Sequence, residues 1–424
     1  MKIAMLNTFD GGGGAARSAY RLHQGLARSG VASRFVTQYN KRADPAIVCG
    51  TSRFEKVIAL LRPLADMLPM QLYRRRDRKQ PFSTAYVPVA QRVRQAVAEA
   101  DVLHLHWVVH GFINIPFLRQ AHRPIVWTLH DSWAFTGGCH LPAACLRYQE
   151  ACGRCPQLGS QHEVDLTRLN WQRKLRAWRD VDMVVVTPSN WLAACARRSS
   201  LFAGRRVEVI PNGIDTDVFK PLDRGVCRRI LNLPEDKHLI LFGAMGATSD
   251  ENKGFDLLRQ AMAVLPEQVA GKECMLVVFG AQRLELPDLN IEVRFMGTLA
   301  DDIALSVLYA AADVMVVPSR QENLPNTIME AMACGTPAVA FRTGGIPDLI
   351  EHHHSGYLAE AFDTADLAQG IAWTLEQFAL GARLGNNCRQ KVEREFALDV
   401  VSARYVKLYS ELLGNARSTL PQTG

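Results

Sequence analysis

Short apolar runs rich in β-branched residues alternate with helical patterns along most of this chain, and the alternation restarts once. The first series of strands opens with Lys2–Asn7 and includes Val102–Leu105, while the second opens with Leu239–Gly243 and includes Val314–Val317. A long helical pattern, Thr364–Leu384, follows the second series. Because buried strands separated by helices form parallel βαβ units, the sequence predicts an α/β protein with two successive Rossmann-like domains.

The joint between the two domains is marked by turn-forming residues. They cluster in Pro211–Asp215, and Lys220–Pro221 follows shortly afterwards. We predict an N-terminal domain over residues 1–218, a C-terminal domain over 219–396 and a last helix over 397–415. Ligands of such sheets bind at the carboxyl ends of the strands, so two facing domains would share one cleft.

Composition and charge exclude several classes of protein. Of 424 residues, 48% are hydrophobic and 21% are charged, which excludes a disordered chain. Uncharged apolar stretches such as Leu239–Ala247 are too short to span a bilayer, and the first residues do not form a signal peptide, so we expect a cytoplasmic protein. The net charge of +7 is compatible with anionic substrates or an anionic membrane surface. It is too small to indicate nucleic-acid binding.

A glycine-rich loop, Asp10–Ala16 (DGGGGAA), joins the first strand to a helix. Gly12 and Gly13 would let the backbone approach a phosphate at the positive end of that helix. The loop lacks the Lys-Ser/Thr pair of ATPases, and Gln38–Asn40 stand where a dinucleotide-binding protein would have a carboxylate. The loop therefore indicates a phosphate or acceptor site, and a merely tight turn is the alternative.

A second candidate site is the segment ENLPNTIME, which begins with Glu322 and ends with Glu330. Pro325 suits the first turn of a helix, whose first backbone N–H groups, those of Asn326 and Thr327, would bind an anion. The two carboxylates suit sugar hydroxyls better than phosphate. The alternative is that two glutamates on a solvated face have this spacing by coincidence.

Four of the ten cysteines crowd into an insertion over residues 137–158: Cys139, Cys145, Cys152 and Cys155. Four thiolates suit tetrahedral zinc, and the final C-x2-C spacing is usual for such sites. We predict a structural zinc ion, because a set that is already four-coordinate leaves no open position for catalysis. An iron–sulfur cluster, disulfides and free thiols are the alternatives.

Two further features each have a bland and a functional interpretation. Phe54–Leu72 is amphipathic and continues into a basic run, and it is either a core-packed helix or an interfacial helix at an anionic membrane. The members of the basic run are Arg74, Arg75, Arg76, Arg78 and Lys79. His104 and His106 share one face of a strand end, and we interpret them as ordinary strand-end histidines.

Together these motifs resemble the retaining glycosyltransferases of family four, which have the GT-B fold. Glu322, seven residues, and Glu330 are followed by AMACGTPAVAFRTGG, as in the donor-site signature of that family. Matching passages, in order, are the N-terminal glycine loop, Trp127–Asp131, Thr187–Trp191, Ile210–Asp215, Lys253–Gly254 and Gly356–Leu358. The resemblance covers essentially the whole chain, and enzymes that build bacterial exopolysaccharides such as colanic acid are similar. It implies two Rossmann-like domains facing a shared cleft, with the C-terminal helix crossing back to the first.

The resemblance also implies roles for individual residues. Glu322 would contact hydroxyls of the donor sugar, Glu330 the ribose, and Lys253 the diphosphate. His130 would lie near the reacting carbon, and the Gly12–Gly13 loop would close on the phosphate or acceptor. Further donor-binding positions are Asn323, Leu324, Asn326 and Thr327. The positive charge of the lysine and the helix start would replace a catalytic metal.

The chain departs from the family pattern at two positions. Thr248 stands where an arginine normally precedes the lysine, within the enlarged loop 243–252. Asn323–Pro325 replaces the Gly-Phe-Gly that usually follows the first glutamate. We therefore expect loop N–H groups, Thr248 or Ser249 to take over part of the arginine's role toward the diphosphate.

The activity implied is transfer of a sugar from a nucleoside-diphosphate sugar to a growing glycan held on a polyprenyl diphosphate. Such an acceptor would bring a cytoplasmic enzyme to the inner face of the plasma membrane. The alternatives are a soluble acceptor, an NAD-dependent sugar-nucleotide oxidoreductase or epimerase, and a non-catalytic binding protein. No tyrosine in the chain has a lysine four residues later, which disfavours the oxidoreductase.

Overall fold

The computed structural model describes residues 1–42, 44–282, 284–286, 289, 291–299, 301–381 and 383–418. The chain divides into two units. Unit 1 consists of Met1–Pro211 and the chain from Val401 onward, and unit 2 consists of Asn212–Val400. The division lies earlier than the boundary we predict at residue 218, because the chain leaves the first sheet at the start of Pro211–Asp215.

Unit 1 contains a seven-stranded parallel sheet with the strand order β3-β2-β1-β4-β5-β6-β7. Its strands are β1 (Lys2–Leu6), β2 (Ala32–Val36), β3 (Ile47–Val48), β4 (Val102–Leu105), β5 (Ile125–Thr128), β6 (Met183–Thr187) and β7 (Val207–Val209). Its helices are α1 (Gly14–Arg28), α2 (Arg53–Met67), α3 (Gln91–Ala98), α4 (Phe117–Gln120), α5 (Leu166–Trp178) and α6 (Asn190–Arg198). The central strands β4, β5 and β6 are buried along their whole length, as the apolar runs predict.

Unit 2 contains a second sheet with the order β11-β10-β8-β12-β13-β14, in which β9 pairs with β10 in the antiparallel direction. Its strands are β8 (His238–Gly243), β9 (Gln268–Val269), β10 (Lys272–Phe279), β11 (Glu292–Phe295), β12 (Val314–Val317), β13 (Ala338–Phe341) and β14 (Gly356–Ala359). Its helices are α7 (Arg224–Ile230), α8 (Phe255–Val264), α9 (Asp302–Ala311), α10 (Asn326–Ala333), α11 (Ile346–Leu349), α12 (Thr364–Ala379) and α13 (Leu384–Glu395).

The last helix, α14 (Leu398–Ser418), returns to the sheet of unit 1. Its apolar positions pack in one core cluster with residues of β1 such as Ile3 and Met5. They are buried Val401, Tyr405, Leu408 and Tyr409. The Tyr409 hydroxyl also forms a hydrogen bond with His104 Nδ1, at 2.7 Å. From Val401 onward, the helix that we predict over 397–415 therefore belongs to unit 1, to which the resemblance implies that it crosses back.

The amphipathic segment Phe54–Leu72 forms α2 and a 3₁₀ helix over Leu68–Leu72. A capping box starts α2, because Ser52 and Glu55 bond each other's backbone N–H groups. Its apolar side chains are exposed: Phe54 is 75% exposed and Leu64 is 62% exposed. The interpretation as a core-packed helix is therefore wrong. Among the described residues, no helix is both long and apolar enough to cross a bilayer.

Candidate functional site

An ion pair in unit 2 joins two of the predicted site residues. Lys253 Nζ lies 2.7 Å from Glu322 Oε1, and both side chains are mostly buried. The charge of Glu322 raises the pKa of Lys253 above its ordinary value, although burial acts in the opposite direction. Lys253 is therefore a cation at neutral pH, held beside a carboxylate that can accept hydrogen bonds.

The loop that carries Lys253 is fixed to the loop that carries Glu322. The side chain of Asn252 donates to the Gln321 carbonyl at 2.8 Å and accepts from the Gln321 N–H at 3.1 Å. Gly254, which follows Lys253, has φ +70° and ends the short 3₁₀ helix Glu251–Lys253. A Cβ at this glycine would lie 1.9 Å from the Pro318 carbonyl oxygen, so only glycine fits the close approach of the two loops.

The backbone of Glu322 is held in a similar way from the other side. Its carbonyl accepts a hydrogen bond from Gly345 N at 3.0 Å. Gly344 has φ +55°, and a Cβ there would lie 1.9 Å from the Glu322 carbonyl oxygen. The GG pair that follows β13 therefore positions the first glutamate of the signature.

Helix α10 begins at Asn326, so Pro325 is its N-cap residue and not a residue of its first turn as we predict. The N–H groups of Asn326 and Thr327 belong to that first turn, where an α-helix has N–H groups outside its own ladder. Asn323 is half-buried and Leu324 is buried in the loop before the helix. Asn212, at the start of unit 2, donates its side-chain amide to Asn326 Oδ1 at 3.2 Å.

Glu330 is buried inside α10, with 2% of its surface exposed. Tyr309 of α9 donates its hydroxyl to Glu330 Oε2 at 2.9 Å. A buried carboxylate with a fixed donor is a structurally constrained group, which excludes the alternative of a solvated surface glutamate. Its predicted contact with a ribose stays a prediction.

The loop after β8 contains the position where the family has arginine. Its turn is closed by hydrogen bonds from Ser249 N and Asp250 N to the Gly246 carbonyl, at 3.0 and 2.9 Å. Thr248 is half-buried in that turn. The nearby Arg320 forms a two-pronged pair with Asp256, at 2.9 and 2.7 Å. The predicted role of Thr248 and Ser249 toward a diphosphate stays a prediction.

In unit 1, His130 lies just after the carboxyl end of β5 and contacts a second histidine. Its Nε2 is 3.1 Å from Nδ1 of His106, and the two rings are stacked with centroids 5.3 Å apart. Burial lowers the pKa of His130 to about 4 and that of His106 well below its ordinary value. His130 is therefore neutral at pH 7 and can exchange hydrogen bonds but supplies no positive charge.

Asp131 connects His130 to the cysteine-rich insertion. Its Oδ2 accepts from Trp107 Nε1 at 2.7 Å and lies 2.6 Å from His140 Nδ1, while Oδ1 accepts from Trp133 N at 2.8 Å. Burial alone would raise the pKa of Asp131, but His140 and these hydrogen bonds outweigh it and lower the pKa. A small pocket at this place is lined by residues including His106, His130 and the three tryptophans 107, 127 and 133.

A cluster of half-buried rings lies at the carboxyl ends of the neighbouring strands. Phe9 stacks on Tyr39 with ring centroids 5.2 Å apart and on Trp107 at 5.7 Å. His110 packs edge-on against Trp107 at 4.7 Å. We call these four residues the aromatic cluster. Sequence analysis missed it and the His106 contact, although Phe9, Tyr39 and Trp107 each follow the end of a predicted strand by a few residues.

The glycine loop has the predicted strand-to-helix geometry. Gly12 has φ +86°, and Gly13 is the N-cap of α1, which begins at Gly14. Asp10 accepts from the N–H groups of Lys41 and Arg42, at 2.6 and 2.7 Å, and so fixes the loop to the chain after β2. The geometry leaves both interpretations open, so binding by Gly12 and Gly13 stays a prediction.

The four insertion cysteines are neighbours in the structure. Burial raises the pKa of Cys139, and the neighbouring Cys152, Cys155 and Cys145 raise it further. Cys152 Sγ accepts a hydrogen bond from Gly137 N at 3.1 Å. No disulfide joins these cysteines, and in the described part of the chain no three Cys, His, Asp or Glu side chains are arranged to hold a metal ion. The zinc site stays a prediction of the sequence.

Family models match both units of the chain. The model described as Glycosyltransferase Family 4 matches residues 12–218, and the model described as Glycosyl transferases group 1 matches residues 236–377. Together these matches include Gly12 and Gly13 of the glycine loop, His130, Lys253 and the segment from Glu322 to Glu330.

Individual proteins are similar over nearly the whole chain. The putative colanic acid biosynthesis glycosyl transferase WcaC of Escherichia coli (strain K12) is 26% identical, over 97% of this chain and 100% of that protein. Sucrose-phosphate synthase from Thermosynechococcus elongatus is 22% identical with a TM-score of 0.68, over 98% of this chain and 99% of that one. Anabaena HepE in complex with UDP and glucose is 19% identical with a TM-score of 0.64, over 97% and 99%.

Proposed function

This chain belongs to family 4 of the glycosyltransferases and has their GT-B fold, and from that premise we propose a retaining transferase that uses a nucleoside-diphosphate sugar. It adds the sugar to a growing glycan in cell-surface or exopolysaccharide synthesis. The relative WcaC is named for colanic acid biosynthesis, and HepE was solved with UDP and glucose, which supports both parts of the proposal. Membership of a transferase family overturns the oxidoreductase and non-catalytic alternatives.

The observation that carries the proposal is the Lys253–Glu322 ion pair in unit 2. The ammonium group supplies positive charge to a departing nucleoside diphosphate, and the carboxylate accepts hydrogen bonds from the donor sugar. The first turn of α10, with Asn326 and Thr327, adds N–H groups and the positive end of a helix dipole. Glu330 binds the ribose. Because these groups stabilise the leaving group, the reaction requires no catalytic metal.

Unit 1 provides the acceptor side. His130 donates or accepts a hydrogen bond at the reacting sugar as a neutral imidazole, and His106 orients its ring. The loop with Gly12 and Gly13 closes on the phosphate or the acceptor. The aromatic cluster presents ring faces on which the apolar sides of acceptor sugars can stack.

The acceptor glycan is carried on a polyprenyl diphosphate, so that the enzyme acts as a peripheral protein at the cytoplasmic face of the plasma membrane. This part of the proposal rests on the similarity to WcaC, which is named for colanic acid biosynthesis. The alternative acceptor is a soluble molecule, and it would need no contact between enzyme and bilayer.

The test is a donor screen with the purified full-length chain. A panel of UDP-, GDP- and dTDP-sugars is incubated with the protein, and release of the nucleoside diphosphate is measured in the presence of EDTA. We expect release from one donor class, and proton NMR of the released sugar, recorded before it mutarotates, should show the anomeric configuration of the donor. Release from none of the donors by a folded sample, or an inverted anomer, would contradict the proposal. A strict requirement for Mg²⁺ or Mn²⁺ would contradict the metal-free mechanism.

A further inference from the structure

Helix α2 is attached to unit 1 through polar side chains. Three of its 15 residues are buried: Ala59, Arg62 and Asp66. The Arg62 guanidinium donates to Gln38 Oε1 at 3.1 Å and to the Gly111 carbonyl at 2.7 Å. Asp66 Oδ1 accepts from the Thr84 hydroxyl at 3.0 Å. The side of α2 that faces the protein is thus its polar side, the reverse of a helix that covers a hydrophobic core.

The opposite side of α2 is apolar and exposed. Positions three, four and seven apart lie on one side of a helix. The exposed fractions of this row are 75% for Phe54, 54% for Val57, 55% for Leu61, 62% for Leu64 and 65% for Leu68. Leu72 of the following 3₁₀ helix is 85% exposed. Scattered exposed apolar residues need no explanation, but a contiguous row marks an interaction site.

Basic side chains follow this row directly. Arg74, Arg75 and Arg78 are exposed, and so are Arg53 and Lys56 on α2 itself. An apolar helix side flanked by arginine and lysine is typical of helices that lie in the headgroup region of an anionic bilayer. The charge of these residues therefore favours an anionic lipid surface over a neutral one.

The basic segment is held in place by the body of unit 1. Tyr73 accepts a hydrogen bond at its hydroxyl from Leu166 N at 2.8 Å, and Asp77 N donates to the Gln157 carbonyl at 2.8 Å. Arg76 is only half-exposed, and its guanidinium donates to the Met70 carbonyl at 2.5 Å. The exposed arginines thus extend from an ordered base, which reduces the conformational entropy that binding would otherwise cost.

We propose that a docking surface for an anionic phospholipid bilayer is formed by Phe54, Val57, Leu61, Leu64, Leu68, Leu72, Arg74, Arg75 and Arg78. The inference rests on the proposed function, because an acceptor held in a bilayer requires the enzyme to reach that bilayer. The docking surface adjoins the acceptor side of unit 1. Tyr39, a member of the aromatic cluster, donates its hydroxyl to the Ala59 carbonyl of α2 at 2.7 Å. A glycan emerging from the bilayer at α2 would therefore meet the aromatic cluster.

The test is co-sedimentation of the full-length chain with vesicles. One set contains only phosphatidylcholine, and the other contains equal parts of phosphatidylcholine and phosphatidylglycerol. We expect the protein to sediment with the anionic vesicles, less so at high salt, and to stay in the supernatant with the neutral ones. Replacing Arg74, Arg75 and Arg78 with Gln should lower the partition coefficient roughly 100-fold. Replacing Phe54, Leu61 and Leu64 with Gln should abolish sedimentation.

Matched controls carry the same changes elsewhere. The apolar control replaces Ile230, Val264 and Ile303 of unit 2 with Gln, which are 67%, 63% and 71% exposed. The charge control replaces the exposed Arg119, Arg176 and Arg179 of unit 1 with Gln. We expect the apolar control to sediment like the unchanged protein and the charge control to lose much less than the Arg74, Arg75 and Arg78 variant. Circular dichroism and donor hydrolysis should be the same in all variants.

Equal binding to neutral vesicles, no binding to anionic vesicles, or binding that survives the Phe54, Leu61 and Leu64 changes would overturn the docking surface. A dimer in size-exclusion chromatography that these changes convert to a monomer would overturn it in favour of a second copy of the chain. If vesicle binding fails while donor hydrolysis persists, the docking surface is wrong and the glycosyltransferase proposal stands. If the protein binds vesicles but hydrolyses no donor, the docking surface stands and the glycosyltransferase proposal is wrong.

Discussion

In unit 2, an ion pair keeps a lysine positively charged, and a positive charge is what a leaving diphosphate needs. Lys253 and Glu322 keep only 23% and 16% of their side-chain surface exposed. Each charge therefore depends on the other, and removal of one partner leaves an uncompensated charge in a mostly buried loop. A bound diphosphate would compete with Glu322 for Lys253 and free the carboxylate for sugar hydroxyls.

We expect Lys253→Ala, Glu322→Ala and Glu330→Ala each to lower kcat/KM for the donor by about 100-fold or more, because each removes a group that we propose acts on the donor. The measurement is release of the nucleoside diphosphate, with circular dichroism to confirm folding. Lys272→Ala, at an exposed position of β10, is the matched control and should leave the rate unchanged. Full activity of the Lys253 and Glu322 variants would remove these residues from the donor site.

The buried histidines of unit 1 make its stability depend on pH. Burial lowers the pKa of His104 to about 3 and that of His130 to about 4. In the unfolded chain both titrate near 6.5, so the unfolded state binds protons that the folded state does not as the pH falls below that value. Their stabilising contribution is complete above pH 6.5 and is lost as the pH falls toward 4.

We therefore expect the free energy of unfolding to decrease between pH 6.5 and pH 4, by up to about 1.4 kcal/mol per pH unit for each such histidine. Urea unfolding at several pH values measures this slope. His104→Gln should flatten the slope, since it removes one group that titrates only in the unfolded chain. His162→Gln, at an exposed position, should not. An unchanged slope in the His104 variant would mean that this histidine binds protons equally well in the folded and in the unfolded chain.

At the scale of secondary-structure elements, two glycines provide a matched pair for testing how the Lys253 loop meets its neighbour. Gly254 and Gly271 have similar φ angles, +70° and +77°. A Cβ at Gly254 would lie 1.9 Å from the Pro318 carbonyl oxygen, whereas a Cβ at Gly271 would meet nothing within 4 Å. Alanine at either position carries the cost of positive φ, and only at Gly254 does it force two loops apart.

We expect Gly254→Ala to lower the melting temperature more than Gly271→Ala, whose positive φ alone costs about 1–2 kcal/mol. Gly254→Ala should also reduce donor hydrolysis, because the displaced loop carries Lys253 away from Glu322. Thermal unfolding and donor hydrolysis of the two variants measure these effects. Equal melting temperatures would show that the loops separate without cost, contrary to the packing at Pro318.

The cysteine-rich insertion underlies the docking surface. Cys155 and Leu158 pack in one apolar cluster with Met70 and Phe82, and Tyr73 lies against it. If the four thiolates close a structural site, metal analysis should find about one zinc per chain. Cys152→Ser should then lower thermal stability more than it changes donor binding. Cys49→Ser, outside the insertion, should change neither thermal stability nor donor binding. Metal-free protein in which all four thiols are freely alkylated would rule out the zinc site.

Over the whole molecule, local sequence patterns predict the sheets better than the contacts between elements. Val102–Leu105 and Val314–Val317 form strands with the predicted bounds, because short buried runs between helices have few other solutions. The helix predicted over Thr364–Leu384 is wrong at its end, since α12 stops at Ala379 and Gly381 has φ +74°. Residue 382, inside that predicted helix, lies outside the described residues.

At the candidate site, too, local motifs predict the residues better than the contacts between them. Motif resemblance predicts Lys253 and Glu322 as site residues, but it does not predict their ion pair, which joins loops 69 residues apart. The contact of His106 with His130 and the aromatic cluster are also missed, because they depend on which strands are neighbours in the sheet. The orientation of α2 needs the positions of its polar anchors, Arg62 and Asp66, which periodicity alone does not provide.

Chain connectivity makes unit 1 depend on its last helix. Unit 2 is inserted in the sequence between Pro211 and Val401, so unit 1 is complete only when α14 has joined its sheet. Four large side chains of α14 are buried there: Val401, Tyr405, Leu408 and Tyr409. Full burial of such a side chain contributes about 1.5–3 kcal/mol, so the four contribute on the order of 6–12 kcal/mol. This burial energy is comparable to the whole stability of an ordinary domain, which is about 5–15 kcal/mol.

We therefore expect a chain that ends after Val400 to lose the fold of unit 1 and to keep that of unit 2. Six of the seven tryptophans lie in unit 1, so tryptophan fluorescence reports mainly on that unit, and its emission should shift to the red. Limited proteolysis should leave a resistant fragment close to Asn212–Val400. A chain that ends after Ser418 is the control and should behave like the full-length protein. Native fluorescence and an unchanged melting temperature in the shorter chain would mean that β1 to β7 are stable without α14.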